Sequence, residues 1–252
     1  NGSCPEVQDW LLSEQRAGRI QYLILSEKNL GKGGAWNIIL SGAPGEIIAY
    51  ADSDVLFSPG WLVRSVELLE TYPKVGMVTA RPFRTNPQFY SSTVSWARNC
   101  AEVSLEMGQL IQFPVFEAFN LSLGQDPDEI RKDYEVTQDV GLSYQGVKAM
   151  AGASHWQFTA YKAVLNQFLP FDMSRPMGQV KQLDQRMNES GFLRLMISDP
   201  LAMNMSNTLR GVAEKQSGTS KASATGMIWD LPLVKKILLS FYDKVFRLYY
   251  DR

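Results

Sequence analysis

Two carboxylates at the end of an apolar run are the residues best suited to chemistry. Asp52 and Asp54 stand one small residue apart, directly after residues 46–51, a run typical of a strand buried on both faces. Carboxylates this close repel each other unless a cation or strong donors lie between them. Because hard oxygen ligands suit Mg²⁺ and Mn²⁺, the pair predicts a divalent metal site. The alternative is a turn in which both aspartates only cap the next helix.

A glycine-rich turn precedes that strand. Residues 29–34 read Asn-Leu-Gly-Lys-Gly-Gly and lead into an apolar helical stretch. The glycines permit close approach of the backbone to a ligand, and Lys32 supplies a cation for a ribose, a base or a phosphate. The turn lacks the Gly-Lys-Ser/Thr ending of a Walker loop. It is either a ligand-binding turn or an ordinary connection from strand to helix.

The elements that position these residues alternate between helix and strand. The pattern predicts helices that begin near residues 5, 35 and 60, and strands at 20–25, 46–51 and 75–80. Short connections between such elements are typical of a parallel α/β sheet, which binds ligands beyond the carboxyl ends of its strands. A parallel sheet rarely opens with a helix, so we expect a further strand upstream of Asn1.

The second half of the chain is less regular. Residues 88–112 predict helix, and the polar stretch 122–146 predicts a surface excursion. Strands are predicted at 156–161 and 192–197, and a helix at 180–190. Residues 210–226 carry no aromatic side chain and predict a flexible linker. Residues 227–252 predict an amphipathic helix, which packs on its own domain, packs on a second copy as a homodimer, or lies on an anionic membrane surface.

Composition excludes several classes of protein. The 252 residues are 45% hydrophobic, and 25 basic against 26 acidic side chains give a net charge of -1. That balance offers no surplus of Lys and Arg for nucleic acid, and no apolar run reaches membrane-spanning length. Cys4 and Cys100 are expected as free thiols of a reducing cytoplasm. The single histidine, His155, excludes a metal site that needs two imidazoles.

Four stretches together resemble a known family. They are residues 1–3 (Asn-Gly-Ser), 29–37 (Asn-Leu-Gly-Lys-Gly-Gly-Ala-Trp-Asn), 45–55 (ending Ala-Asp-Ser-Asp-Val) and 59–62 (Pro-Gly-Trp-Leu). Their order and spacing resemble the core of family 2 glycosyltransferases with the GT-A fold. The resemblance implies a partial GT-A domain over residues 1–209, a mostly parallel, Rossmann-like sheet flanked by helices. Its first strands are missing, and a C-terminal amphipathic helix follows the linker.

The resemblance also implies roles for particular residues. His155 and Trp156 fall on the acceptor side, although a packed structural histidine is the alternative. The family's Glu-Asp pair aligns with Gln179-Val180, which leaves Asp184 as the candidate catalytic base or, alternatively, as a solvated aspartate on a helix face. Asn204 stands where the family often has a metal-binding histidine, so the implied metal ligands are Asp52, Asp54 and Asn204. The implied donor-binding residues are Asn1, Gly2, Asn29, Gly31, Lys32, Asn37 and Asp52.

The function so implied is inverting hexosyl transfer from a nucleotide-sugar donor, a UDP-sugar first, to a hydroxyl of a glycan or lipid-linked acceptor in polysaccharide or glycolipid synthesis. Mn²⁺ or Mg²⁺ would neutralise the departing diphosphate, and Asp184 would take the proton. The expected place is the cytoplasm or the inner face of a membrane. Two alternatives stay open. One is an inactive GT-A-like protein that binds a nucleotide or glycan, or acts as a scaffold. The other is a haloacid-dehalogenase-type phosphatase, although Leu56 stands where its motif has Thr or Val.

Overall fold

The computed structural model of the chain describes residues 1–173 and 178–205. These residues fall into two compact units. The first takes residues 1–38 and the described residues within 171–179, and the second takes residues 39–170 and 180–205. The linker and the amphipathic helix predicted over 210–252 lie outside the described residues, as does the domain boundary at 209.

Helices and strands alternate along the described chain. The helices are α1 (Pro5–Arg16), α2 (Gly31–Gly42), α3 (Trp61–Thr71), α4 (Ser91–Asn99), α5 (Phe113–Ser122), α6 (Pro127–Val136), α7 (Lys162–Leu165) and α8 (Gln179–Glu189). The strands are β1 (Ile47–Ala51), β2 (Val55–Phe57), β3 (Val75–Thr79), β4 (Val103–Gly108), β5 (Asp139–Tyr144), β6 (Val147–Ala151), β7 (Gln157–Tyr161), β8 (Leu193–Met196) and β9 (Ala202–Asn204). In the part of the chain that the structure describes, no helix is both long and apolar enough to cross a membrane.

The second unit is built on a seven-stranded sheet in the order β1-β7-β3-β8-β6-β5-β4. Helices accompany this sheet, so the expected α/β class is confirmed and the architecture is consistent with a GT-A fold. The sheet is mixed rather than mostly parallel: among the described strands only β3 and β8 pair in parallel, and the other neighbours are antiparallel. Strands β2 and β9 form a separate two-stranded ribbon.

One of the antiparallel pairings is a tight hairpin. Strands β5 and β6 are joined by Gln145 and Gly146, which both have positive φ, 49° and 79°. Two successive residues in that region match a type I′ turn, whose twist suits a tight hairpin. The polar stretch 122–146 therefore contains α6 and β5 rather than a simple surface excursion. Likewise, residues 88–112 contain β4 as well as α4.

The core of the second unit forms around β3 and β8, whose residues are all buried. Continuous apolar runs in both segments are covered on both faces, as expected for central strands. The strands predicted at 46–51, 75–80, 156–161 and 192–197 and the helix at 180–190 are confirmed within a residue or two.

The first unit differs from the sequence prediction. Residues 20–25 do not form a strand, and Tyr22 and Ile24 are exposed. An extended segment becomes a strand only when a neighbour supplies ladder hydrogen bonds, and no described strand pairs with this one. Its end is held instead by the N–H of Gly2, which donates to the carbonyl oxygen of Ser26 at 2.8 Å.

Candidate functional site

In the first unit, the N-terminal residues lie against the glycine-rich turn. The side-chain oxygen of Asn1 accepts from the N–H of Leu30 at 2.6 Å, and its amide donates to the carbonyl of Gly31 at 3.4 Å. The side chain of Asn29 accepts from the N–H of Gly31 at 2.9 Å, and Gly31 has a φ of 65°. The structure thus brings Asn1, Gly2, Asn29 and Gly31 together at the start of α2.

The other two candidates for donor binding in this unit, Lys32 and Asn37, contact other residues of the protein. The ammonium of Lys32 lies 5.3 Å from the centre of the Trp36 ring. The amide of Asn37 donates to the carbonyl of Phe171 at 3.2 Å and accepts from its N–H at 2.6 Å. The amide nitrogen and oxygen of Asn37 both bond to the backbone of Phe171, so Asn37 holds Phe171 against α2. There the ring of Phe171 packs against buried Trp36. A role for Lys32 and Asn37 toward a donor stays a prediction.

In the second unit, the chain turns sharply at the two aspartates. Asp52 follows β1 and Asp54 precedes β2, so the pair marks the step from the large sheet to the small ribbon. Helix α3 has Gly60 as its N-cap. Neither aspartate caps that helix, and the alternative explanation of the pair is wrong.

Backbone hydrogen bonds hold both aspartates to segments that are distant in sequence. The N–H of Asp52 donates to the carbonyl of Trp156 at 2.8 Å, and its carboxylate accepts from the hydroxyl of Tyr50 at 2.5 Å. The carbonyl of Asp54 accepts from the N–H of Met205 at 2.7 Å. Val55, next to Asp54, pairs with Asn204 in the β2–β9 ribbon. The pairing of β2 with β9 therefore brings the backbone of Asn204 next to the segment that contains Asp52 and Asp54.

The acidic corner, formed by Asp52, Asp54 and Asn204, has oxygen atoms that suit a hard divalent cation. It offers two half-buried carboxylates and one amide, and oxygen ligands of this kind bind Mg²⁺ and Mn²⁺ while leaving positions for phosphate oxygens. Within the described ranges, no group of three or more His, Cys, Asp or Glu side chains is arranged to hold a metal ion. A cation here would accordingly depend on Asp52, Asp54 and Asn204 together with oxygens of a ligand.

The acceptor-side candidates lie on the loop from β6 to β7. The Trp156 side chain is buried and packs near the rings of Phe83 and Phe119, so it serves the core. The His155 side chain is 40% exposed, and its Nδ1 lies 3.3 Å from Oδ2 of Asp184. The structure thus joins two candidates that are 29 residues apart in sequence.

Asp184 is not the solvated aspartate of the alternative interpretation. It lies on the inner face of α8 between buried Leu183 and Met187, with its side chain only 8% exposed. Its Oδ1 accepts from Nη2 of Arg194 at 2.6 Å, and the Arg194 side chain is 1% exposed. Burial lowers the pKa of Arg194 from its ordinary value, and the nearby charge of Asp184 opposes that effect.

Arg194 is the functional-site residue that the motifs do not reveal. Besides Asp184, its guanidinium donates to the carbonyls of Phe89 at 2.8 Å and of Ala153 at 2.7 Å. It therefore holds both the carboxylate and the loop that carries His155. An arginine within the apolar strand 192–197 is itself a signal, because a buried charge requires a partner.

The loop is also held from the opposite side. The N–H of Ser154 donates to the hydroxyl of Thr79 at 2.8 Å, and Gly152 has a φ of 128° and donates to the carbonyl of Arg194 at 2.9 Å. A Cβ at Gly152 would lie 2.9 Å from the terminal methyl of Met196. Only glycine fits this position without strain, so the path of the loop to His155 is tightly defined.

Comparison with known proteins supports the interpretation of the motifs. Residues 3–119 match the model of glycosyl transferase family 2. A protein of Nostoc sp. strain PCC 7120, described as an uncharacterized glycosyltransferase, is 36% identical over 80 residues. That match covers 31% of this chain and 24% of the relative, so the chain spans about a quarter of the length of the relative. No solved structure gives a significant match.

The α/β fold, the acidic corner and the matched segment all agree with one class of protein, the glycosyltransferases. Residues 3–119 match the model of glycosyl transferase family 2, which confirms the resemblance found in the motifs. The matched segment contains the glycine-rich turn, Asp52 and Asp54. His155, Asp184 and Asn204 lie beyond it, so their roles depend on the geometry alone.

Proposed function

We propose that the protein transfers a hexosyl group from a nucleotide-sugar donor to a hydroxyl of a glycan or lipid-linked acceptor. The observation that carries this proposal is the acidic corner: Asp52 and Asp54 lie inside the segment that matches the family 2 model, and the N–H of Asp52 donates to the carbonyl of Trp156 in the loop of His155. Two carboxylates for a metal ion, joined through the backbone to the loop of the partly exposed His155, suit a reaction between a charged donor and a neutral acceptor. UDP-sugars are the first donors to test, in a search that also covers other nucleotides.

Asp52 and Asp54, with the amide of Asn204, are the groups that would hold Mn²⁺ or Mg²⁺. The cation would supply neutralisation of the charge that develops on the departing nucleoside diphosphate. The chain itself orients the ligands: Tyr50 holds one oxygen of Asp52, and the β2–β9 ribbon sets Asn204 beside Asp54. Asn1, Gly2, Asn29, Gly31, Lys32 and Asn37 are proposed to bind the nucleotide.

The transfer is proposed to invert the configuration of the anomeric carbon. In a single displacement the acceptor oxygen attacks the face opposite the leaving group, so a proton acceptor is required on the acceptor side. His155 and Asp184 are the residues proposed to serve that side. Retained configuration in the product, measured by proton NMR, would contradict this mechanism.

The setting proposed for this reaction is the cytoplasm, at the inner face of a membrane where a lipid-linked acceptor would lie. Cys4 and Cys100 are unpaired thiols, which fits a reducing compartment. Fractionation of cells that express the full-length protein, with and without residues 227–252, would show whether the segment predicted as an amphipathic helix provides membrane attachment.

A second candidate function is binding of a nucleotide or glycan without turnover. It is favoured by the burial of Asp184, whose two oxygens already face Arg194 and His155, and by Gln179-Val180 at the place of the family's Glu-Asp pair. A protein of this kind would bind a donor with Mn²⁺ and release no nucleoside diphosphate in the presence of any acceptor.

Titration calorimetry separates these outcomes. The full-length protein is titrated with UDP-, GDP- and dTDP-sugars, with Mn²⁺ and with EDTA. We expect one donor class to bind with Mn²⁺, and Asp54→Ala to weaken that binding at least about tenfold because the cation loses a charged ligand. Glu70→Ala, an exposed acidic residue on α3, is the matched control and should bind as the parent does. Donor binding that is the same in Asp54→Ala would refute the metal site.

A further inference from the structure

We propose that Nε2 of His155 is the atom that takes the proton from the acceptor hydroxyl, and that Asp184 is a positioning residue that acts through His155. This inference rests on the proposed function and changes the role assigned to Asp184. The structural basis is the chain of contacts Arg194–Asp184–His155, which runs from the core to the surface of the second unit.

Asp184 is poorly placed to meet a sugar hydroxyl. A general base must lie within about 2.6–3.2 Å of the oxygen that it deprotonates. The side chain of Asp184 is 8% exposed, its Oδ1 holds the guanidinium of Arg194 at 2.6 Å, and its Oδ2 faces the imidazole at 3.3 Å. A hydroxyl could reach this carboxylate only by displacing a partner, whereas His155 already lies between Asp184 and solvent.

The same contacts determine which nitrogen of His155 carries the proton. Arg194 donates only, and an ionised carboxylate accepts only. Oδ2 of Asp184 therefore accepts a hydrogen bond from Nδ1–H of His155, and the second ring nitrogen, Nε2, is left with its lone pair. With 40% of the side chain exposed, the ring has the access that Asp184 lacks.

The backbone joins the loop that carries this imidazole to Asp52 of the acidic corner. His155 is followed by Trp156, whose carbonyl accepts from the N–H of Asp52 at 2.8 Å. Arg194 fixes Ala153 on the other side of His155 at 2.7 Å. Because the chain is held by hydrogen bonds on both sides of the histidine, at Ala153 and at Trp156, little freedom is left to be lost when an acceptor binds.

In the transfer step, the O–H bond of the acceptor breaks and its proton passes to Nε2 of His155. The electron pair of that oxygen forms the bond to the anomeric carbon of the nucleotide sugar. The bond from this carbon to the phosphate oxygen breaks, and its electron pair leaves on the nucleoside diphosphate. The products are the glycoside, the nucleoside diphosphate and an imidazolium that faces Asp184. The imidazolium then releases its proton to solvent.

Asp184→Asn gives a sharp test because it keeps the shape of the side chain. Arg194 can only donate, so it retains the amide oxygen and turns the amide nitrogen toward His155. That nitrogen donates to Nδ1, which must then accept, and the proton moves to Nε2. The variant should therefore fold but lack the lone pair that the reaction needs, an effect on the order of 10⁴ in kcat where a carboxylate holds a catalytic histidine in the same way in the serine-protease triad.

The single histidine of the chain makes the tautomer directly measurable. Nitrogen-15 NMR of protein labelled at histidine should show an Nδ1–H imidazole in the parent and an Nε2–H imidazole in Asp184→Asn. Asp199→Asn, an exposed aspartate of the same unit, is the control and should leave the tautomer as in the parent. An Nε2–H imidazole in the parent would overturn the inference without any activity assay.

Kinetics supplies the second measurement. His155→Gln should lower kcat by about 10²–10⁴, and Asp184→Asn should do the same, while both leave donor affinity within about twofold of the parent. Transfer that survives His155→Gln would overturn this inference and leave the proposed function intact. A parent protein that shows the Nδ1–H tautomer and binds a donor, yet transfers no sugar, would refute the proposed function and the catalytic role of His155 together.

Discussion

Removal of the Asp184 carboxylate should cost the protein a large part of its folding stability. Asp184→Ala leaves the guanidinium of Arg194, which is 1% exposed, as a buried charge without its counter-ion. Loss of one partner from a buried ion pair typically costs about 3–5 kcal/mol, against total stabilities of about 5–15 kcal/mol for ordinary domains. The carbonyls of Phe89 and Ala153 still accept from Arg194 and keep the cost within that range.

Two further variants show where the cost arises. Asp184→Asn also removes the counter-charge but keeps an oxygen that accepts from Arg194, so it should lose less than Asp184→Ala loses. In Asp184→Leu/Arg194→Met neither charge of this pair remains, and apolar replacement of a buried pair is often neutral or stabilising. The double variant leaves the carbonyls of Phe89 and Ala153 without a donor, at about 1–3 kcal/mol each. Its loss of stability should still be smaller than the sum of the losses measured for Asp184→Leu alone and Arg194→Met alone.

Equilibrium unfolding in urea, followed by tryptophan fluorescence, measures these differences. Asp199→Ala is the surface control and should stay within about 0.5 kcal/mol of the parent. A loss below about 1 kcal/mol for Asp184→Ala would refute the reasoning, because the guanidinium of Arg194 would then be stable in the core without its carboxylate.

Three more predictions concern the frame of the site. Gly152→Ala should destabilise the protein by about 1–3 kcal/mol, more than Gly18→Ala, whose positive φ meets open space; thermal unfolding compares them, and equal losses would exclude the steric contact. Arg84→Met should cost about 3–5 kcal/mol because it leaves the buried Asp139 without its ion-pair partner, whereas Arg64→Met, from an exposed pair, should cost under about 1 kcal/mol in urea unfolding; similar losses would contradict this view. Burial raises the pKa of Tyr72 to about 12, so its stabilising contribution is complete below about pH 10 and about 2–3 kcal/mol of it is lost as pH rises toward 12; urea unfolding of Tyr72→Phe at pH 9 and 11.5 should show a smaller decrease than the parent, and an equal decrease would speak against this origin.

Local signals were sufficient for most of the central elements. The apolar runs at 75–80 and 192–197 predict β3 and β8 because strands covered on both faces need apolar residues on both. The aspartate pair and the glycine-rich turn were also visible, since the spacing of those residues is carried by short, continuous stretches. These features depend on contacts close in sequence, which a single chain displays directly.

The parts that the sequence did not predict depend on distant partners. Residues 20–25 have the composition of a strand but no ladder neighbour in the described structure, and composition alone does not supply one. The mixed sheet includes tight reversals such as the one at Gln145-Gly146. In a polar stretch this dipeptide only weakly predicts a hairpin turn. The ion pair of Asp184 with Arg194 becomes visible only when the helix and the strand that carry them are packed together.

The small ribbon of β2 and β9 has a consequence for the dynamics of the acidic corner. Two paired strands without further neighbours are only marginally stable by themselves, whereas β3 and β8 lie within a seven-stranded sheet. Local opening of a protein draws on its least stable segments, so amide protons of the ribbon should exchange with solvent well before those of the central strands. Asp54 and Asn204 lie on the ribbon side of this difference, while Asp52 follows the large sheet. A ligand that binds all three residues would join a slowly exchanging part of the protein to a rapidly exchanging one, and the gain in protection would appear mainly in β9.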